Sequence, residues 1–310
     1  MAHPTSGAIP CRGVTLIPIR AMRSLFTPRR RAPAVRASLW AITAAVTLPA
    51  VAAAQVTFSA AGADAVAISA QVDAFRAAVG GGDIAGPGAL FGGVRREINW
   101  DGVPAAFSAL STLPPNFFND NSPRGVEFST LGTGFQVSAA AADGPVRFDN
   151  LDPSYSSTFG AFSPQKLFTA VGSTITDVHF FVPGTPSRAV TSAFGAVFTD
   201  VDLASTTSLE FFGPSGISLG SYFVPHLVGS QTFSFLGVQF DGAAIARVRI
   251  TSGNAALGAG VRDGGTTDVV AMDDFIFGEA AQVVPEPGTW AMLAAGLAAL
   301  GAAARRRAHA

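Results

Sequence analysis

Cysteine occurs once in 310 residues, as Cys11, so the chain can form no internal disulfide and offers no multi-thiolate metal site. Lysine also occurs once, as Lys166, histidine four times, and charged residues make up only 13% of the chain. There is no G-x-S-x-G, H-E-x-x-H, P-loop or dinucleotide-binding glycine fingerprint, so the commonest signatures of acyl-transfer, zinc and nucleotide chemistry are missing. No repeat with a period of 20 to 50 residues is present, which argues against a solenoid or propeller. Phenylalanine, by contrast, is abundant at 25 residues, and glycine and proline punctuate most of the chain.

The N-terminal region reads as an export signal that begins at Met22. Residues 1–21 fit no part of such a signal and are a mis-assigned start or a dispensable extension. From Met22 a basic segment (Arg23, Arg29, Arg30, Arg31, Arg36) precedes an apolar stretch from Ala37 to Val51. Ala52-Ala53-Ala54 before Gln55 then forms an A-x-A cleavage site, so residues 22–54 are predicted to be removed. Arg29-Arg30-Arg31 invites a twin-arginine reading, but Ala32-Pro33-Ala34 lacks the apolar residues that should follow, which favours general secretion. Cys11 lies ahead of that segment and is lost with the leader.

At the other end, Pro285 and Pro287 can neither continue a helix nor pair inside a sheet, so the folded domain is expected to stop before them. Residues 288–304 carry no charge, a length at the short end for a membrane-spanning helix, and Arg305, Arg306 and Arg307 follow as a stop-transfer cluster on the cytoplasmic side. Trp290 would anchor the opposite interface. Pro285-Glu286-Pro287, the Ala/Leu/Gly run and the Arg cluster, in that order over residues 283–310, resemble a PEP-CTERM sorting signal. That resemblance implies recognition by an exosortase of the inner membrane, transient anchoring there, removal of the tail and release to the surface of a Gram-negative bacterium that makes extracellular polysaccharide. It identifies an address rather than an activity.

Between the two signals, residues 55–282 hold ten basic and twenty acidic residues, a net charge near −10 rather than the −1 of the whole chain. Such a balance argues against nucleic acid or an anionic membrane surface as partner. It suits divalent cations, or simple solubility outside the cell. Roughly 230 residues can bury a good core without disulfides. Val56–Ser59 reads as an opening strand. Ile68, Val72, Phe75 and Val79 then recur at helical spacing, with Asp64 as N-cap and Gly80-Gly81-Gly82 as the stop, and this helix is expected to cover one end of the core. Residues 83–122 read as loop and short strand folded over a sheet edge. After Pro123, short runs bounded by Gly, Pro, Asp or Ser predict strands at 125–130, 134–139, 146–149, 175–182, 193–201, 207–212, 217–224, 231–235, 237–241, 245–251 and 269–277. Alternation is best in 245–250, which should send Ala246, Val248 and Ile250 inward and Arg247 and Arg249 outward. The predicted fold class is all-β, a jelly-roll-like β-sandwich of one domain packed through aromatic side chains. Asn99-Trp100-Asp101-Gly102, Ala193-Phe194-Gly195, Phe198-Thr199-Asp200-Val201-Asp202 and Met272-Asp273-Asp274-Phe275 are similar, as a set, to uncharacterised exported bacterial β-sandwich proteins, a resemblance that brings no activity with it.

His179 and His226, the two histidines of residues 55–282, fall on separate predicted strands and read as structural or surface residues. Carboxylates are the remaining chemical resource. Asp200 and Asp202 share a strand face with Phe194 and Phe198. Asp273 and Asp274 are adjacent, so an unbulged strand sends one to each face. Inward carboxylates need a partner or a metal, which makes Asp200, Asp202, Asp273 and Asp274 candidate ligands of a structural Ca²⁺, with Asp149, Asn150 and Asp152 as a loop alternative. The competing expectation is that these acids cap turns or pair with Arg247 and Arg249. Trp100, with Asn99 and Asp101, is the candidate glycan contact, set against an ordinary core tryptophan. The leading function is a non-catalytic surface or matrix protein associating with exopolysaccharide. A secreted carboxylate-dependent polysaccharide hydrolase and a purely structural adhesion protein are the alternatives.

Overall fold

The computed structural model describes residues 55–83, 94–242, 244–282 and 287–308. The expected signal segment, including Ala52 and Ala54, lies outside the described residues, as do Pro285 and Glu286.

Thirteen described strands form two mainly antiparallel sheets packed as a sandwich. The larger sheet runs β1(Gln55–Gly62), β11(Phe233–Phe240), β8(Ala193–Thr199), β13(Ala271–Gly278), β3(Arg95–Ile98), β2(Gly82–Asp83); β6(Phe168–Val171) pairs with β13 and with β5(Gly134–Val137). The smaller runs β10(Ser218–Phe223), β9(Ser208–Phe212), β12(Arg247–Thr251), β7(Ile175–Phe180), β4(Val126–Ser129). Helices are few: α1(Ala65–Val79), the single turns α2(Phe117–Asp120) and α3(Tyr155–Thr158), and α4(Pro287–Ala308).

The inward faces supply one core in which phenylalanines dominate, among them Phe128, Phe168, Phe194, Phe211 and Phe275. Strand period explains the selection: in β8, Phe194, Ala196 and Phe198 enter this core, while Ala193 and Val197 point to the opposite face. That opposite face is covered by α1. The helix begins where Asp64 accepts a hydrogen bond from the Ala67 amide at 2.9 Å and ends at Gly80, whose φ of 111° favours glycine. Its stripe of Ile68, Val72, Phe75 and Val79 is buried against the outside of the larger sheet, not against an end of the sandwich. Phe75 lies over the cross-strand pair Gly195 and Gly237, where an added Cβ would come within 2.8 Å of its ring. Two missing side chains thus make the seat for one aromatic.

Several strands differ from expectation for local reasons. The strands expected at 231–235 and 237–241 merge into the single strand β11, Phe233–Phe240, continuous through Leu236. Val146–Phe148 is a 3₁₀ turn, with Arg147 and Phe148 both at positive φ. β6, in a run of continuous apolar character, is buried throughout its first three residues and so shows no alternation. In β12, Val248 and Ile250 are buried and both arginines face outward, whereas Ala246 is only partly buried.

The tail forms α4, and its side chains from Ala291 onward are exposed. Among the described residues no helix is long and apolar enough to cross a membrane. Within α4 the uncharged run 288–304 is alanine-rich and interrupted by Gly296 and Gly301, and rises about 26 Å against a hydrocarbon core of about 30 Å.

Candidate functional site

Trp100 sits in the aromatic core rather than on an open surface. It is 1% exposed, and its indole stacks on Phe168 with ring centroids 4.1 Å apart and planes parallel. Phe118 and Phe275 meet it edge-on, and its Nε1 donates to the Asp273 carbonyl at 2.8 Å. An indole face filled by another ring cannot also receive a pyranose. Asn99, Trp100 and Asp101 all border an apolar cavity of about 410 Å³ whose walls include Phe107, Phe117 and Phe118. Burial raises the Asp101 carboxyl above its ordinary range, opposed by the Lys166 amide that donates to it at 3.1 Å. Lys166 itself is buried, with Nζ on the Val103 carbonyl at 2.6 Å.

The aspartates expected as Ca²⁺ ligands fall into two separate groups. Asp273 and Asp274 sit in a β-bulge: Met272 pairs with Phe198 and Phe275 with Ala196, so two residues oppose Val197 alone. The bulge overturns the expectation of one carboxylate per face, because both reach partners on the α1 side. Asp273 accepts from the Phe162 amide at 2.6 Å and from Ser163 Oγ at 2.9 Å, while Asp274 meets Arg76 of α1 at 3.2 Å. Arg76 also binds Glu97 at 2.8 Å, and Arg95 closes the network on Glu97 at 2.7 Å. Burial holds both bulge carboxyls above their ordinary range. The Asp274 charge adds to the shift at Asp273, and Ser163 and Arg76 temper that at Asp274.

Asp200 and Asp202 belong to the second group, which contains two residues that sequence reasoning missed. Asp268 accepts from the Asp202 amide at 3.0 Å and from the Thr206 hydroxyl, and Asp202 accepts from the Gly229 amide at 2.9 Å. Asp263 lies close enough for the Asp202 charge to act on it and accepts from the Val269 amide at 3.3 Å. Asp200, at a φ of 69° just past the end of β8, is fully buried with neither carboxylate oxygen hydrogen-bonded. The Gln231 amide near it donates to the Thr158 carbonyl at 2.7 Å instead. Burial, then the charges of Asp263, Asp202 and Asp268, push the Asp200 carboxyl up to about 9; burial takes Asp263 to about 6. Asp263 and Asp268 lie some sixty residues away beyond a glycine-rich loop, so spacing carried no signal for them.

Among the described residues no group of three His, Cys, Asp or Glu side chains is arranged to hold a metal ion. The loop alternative is bound up within the chain: Asp149 accepts from the Ser156 amide, Asn150 donates to Gln136, and Asp152 accepts from Ser154 and Gly260. Those bonds, the Ser154 amide first, hold the Asp152 carboxyl below its ordinary range. Arg247 and Arg249 pair with Asp177 rather than with any candidate ligand.

The outer face of the smaller sheet carries the other concentration of functional groups. Register places Phe212, Arg247, His179 and Glu127 in one row across β9, β12, β7 and β4, and Glu210, Arg249, Asp177 and Ser129 in the next. The Arg247 guanidinium lies 3.7 Å over the Phe212 ring. Ser129 Oγ and His179 Nε2 are 2.9 Å apart. Beside this face is a cleft of about 320 Å³. His226, by contrast, is exposed in the loop after β10.

Of the sorting and cleavage residues, Gln55 opens β1 opposite Phe240, Pro287 begins α4, and Arg305, Arg306 and Arg307 lie exposed near its end. A basic cluster beside an uncharged alanine- and leucine-rich helix, behind an all-β exported domain, defines a surface-sorting precursor by its form. Residues 283–307 match the family model of the PEP-CTERM protein-sorting motif. The chain is thus an exported protein addressed through exosortase. No curated protein and no solved structure matches it, so the similarity of residues 55–282 to other exported sandwiches has no support.

Proposed function

We propose that this is a non-catalytic surface or matrix protein that associates with exopolysaccharide through its sandwich once the tail has been processed. The observation that carries the reading is the outer face of the smaller sheet. It mixes aromatic with hydrogen-bonding groups, Phe212, Arg247, Arg249, His179 and Phe223, the last 60% exposed. The larger sheet hides its equivalent face under α1. A polymer needs an extended, accessible surface, whereas hydrolysis needs two carboxylates about 5 to 10 Å apart flanking a sugar in a cleft. The two described hollows supply one acid, Asp101, and none, respectively; the clustered aspartates are buried or engaged with the chain. The export route supplies the compartment in which such a polymer is met.

The test is incubation of the full chain, in mild detergent, with the producing organism's own polysaccharide, with and without EDTA. Retention on the polymer without new reducing ends is the expected result. New reducing ends would replace this reading with a hydrolase, and the absence of both signals would leave a structural adhesion role.

A further inference from the structure

The cleft at the edge of this face is cationic although residues 55–282 carry a net charge near −10. Two arginines border it from different directions. Arg247 comes from β12, flat over Phe212. Arg188 comes from the segment between β7 and β8, 4.4 Å over the ring of Phe181. A guanidinium laid against an aromatic face is held in place while its N–H edges point outward in a fork that matches a carboxylate; Arg247 commits Nη1 to Asp177, and its other N–H groups carry no ion pair among the described residues. The nearest acid does not cancel the charge. Asp177 is shared, meeting Arg247 at 2.6 Å and Arg249 at 2.8 Å, and Arg188 has no ion pair among the described residues. Glu210 and Glu127 lie on the same face, opposite Arg249 and His179, but no Asp or Glu lines the cleft itself, whose walls carry Arg188 and Arg247. His179 completes the wall; burial, then the charge of Arg188, lowers its pKa, so at neutral pH the imidazole is uncharged and can both donate and accept. A volume of about 320 Å³ is at the small end for a ligand pocket and suits one sugar ring.

We infer that this cleft binds a carboxylate-bearing sugar unit of an acidic polysaccharide, with Arg188 and Arg247 holding the carboxylate and His179 an adjacent hydroxyl. The inference rests on the polymer-binding reading above and names the chemistry of the polymer. One carboxylate per sugar can enter a cleft one unit wide, whereas the densely spaced phosphates of nucleic acid would be repelled by the acidic remainder of the domain.

The experiment follows the His179 imidazole resonances of the full chain during titration with D-glucuronate, D-glucose or inorganic phosphate, His179→Asn serving to assign them. Glucuronate is expected to shift them saturably and to raise the His179 pKa by about one unit, since a new negative charge favours the protonated ring. Glucose and phosphate should do so at least tenfold more weakly. Arg188→Ala should weaken glucuronate binding tenfold or more with an unchanged melting temperature, because Arg188 is exposed and makes no ion pair. No response to glucuronate, an equal response to glucose, or an equal response to phosphate would each overturn the inference. Polymer retention undiminished in Arg188→Ala would also remove it while leaving the broader reading intact. Absence of retention in the unaltered chain would remove both, and displacement of bound polymer by duplex DNA would replace the acidic sugar with nucleic acid.

Discussion

Replacing Asp200 by Asn should stabilise the protein at neutral pH and not at pH 4. The Asp200 carboxyl is fully buried, without a hydrogen-bond partner, beside three other aspartates, and its pKa is about 9 against an ordinary 3.8. Below pH 3.8 it is protonated in both the folded and unfolded chain and costs nothing. Above that the unfolded chain releases its proton while the folded chain keeps it, so stability falls as pH rises, by about 1.4 kcal/mol per unit. At pH 7 the accumulated penalty reaches about 4 kcal/mol. Asn never ionises, and it tolerates the left-handed backbone that Asp200 adopts. Its amide is still a buried polar group, which returns about 1–3 kcal/mol. The net gain of about 2 kcal/mol should raise the melting temperature of a domain this size by about 4–8 °C at pH 7. Calorimetry of both chains in EDTA at pH 4 and pH 7 reads the difference. A lower melting temperature for the variant at pH 7 would refute the reasoning. So would a rise caused by Ca²⁺ in the unaltered chain and lost in the variant, since that would mean an ionised Asp200 serving as a ligand.

Three further substitutions test the packing. Gly237→Ala places a Cβ 2.8 Å from the Phe75 ring and should cost about 1–3 kcal/mol in denaturant unfolding by lifting α1 from the sheet. Glu97→Ala strips Arg76 and Arg95 of their buried shared partner and should cost about 3–5 kcal/mol by the same assay. Trp100→Ala should cost about 3–5 kcal/mol, while the chain that remains folded is retained on polysaccharide as before; retention lost at full stability would restore the sugar-platform reading.

What was legible in the sequence is what depends on local period. Ile68, Val72, Phe75 and Val79 marked the buried stripe of α1, Asp64 its start, and Val248 and Ile250 the inward face of β12. The tail was legible because its information is linear: a proline pair around Glu286, an uncharged run and an arginine cluster. Illegible were features set by pairing across the chain. The bulge at Asp273-Asp274 exists only relative to β8, and it moved both carboxylates to one side. The meeting of Asp200 with Asp263 and Asp268, and of Arg188 with Arg247, depends on loops whose course no residue pattern dictates. Trp100 was ambiguous for a different reason. A tryptophan between Asn and Asp suits a ligand surface as well as a core corner, and only the rings of Phe168, Phe118 and Phe275 decide between them.

The most direct measurement of the account is the intact mass of the chain recovered from outside the producing cells. The expected species begins at Gln55 and lacks Arg305–Arg307, with the uncleaved tail found only in the membrane fraction and accumulating there in a Pro285→Ala, Pro287→Ala variant. An external chain that still carried the arginine cluster, or that retained Met1 to Ala21, would contradict it.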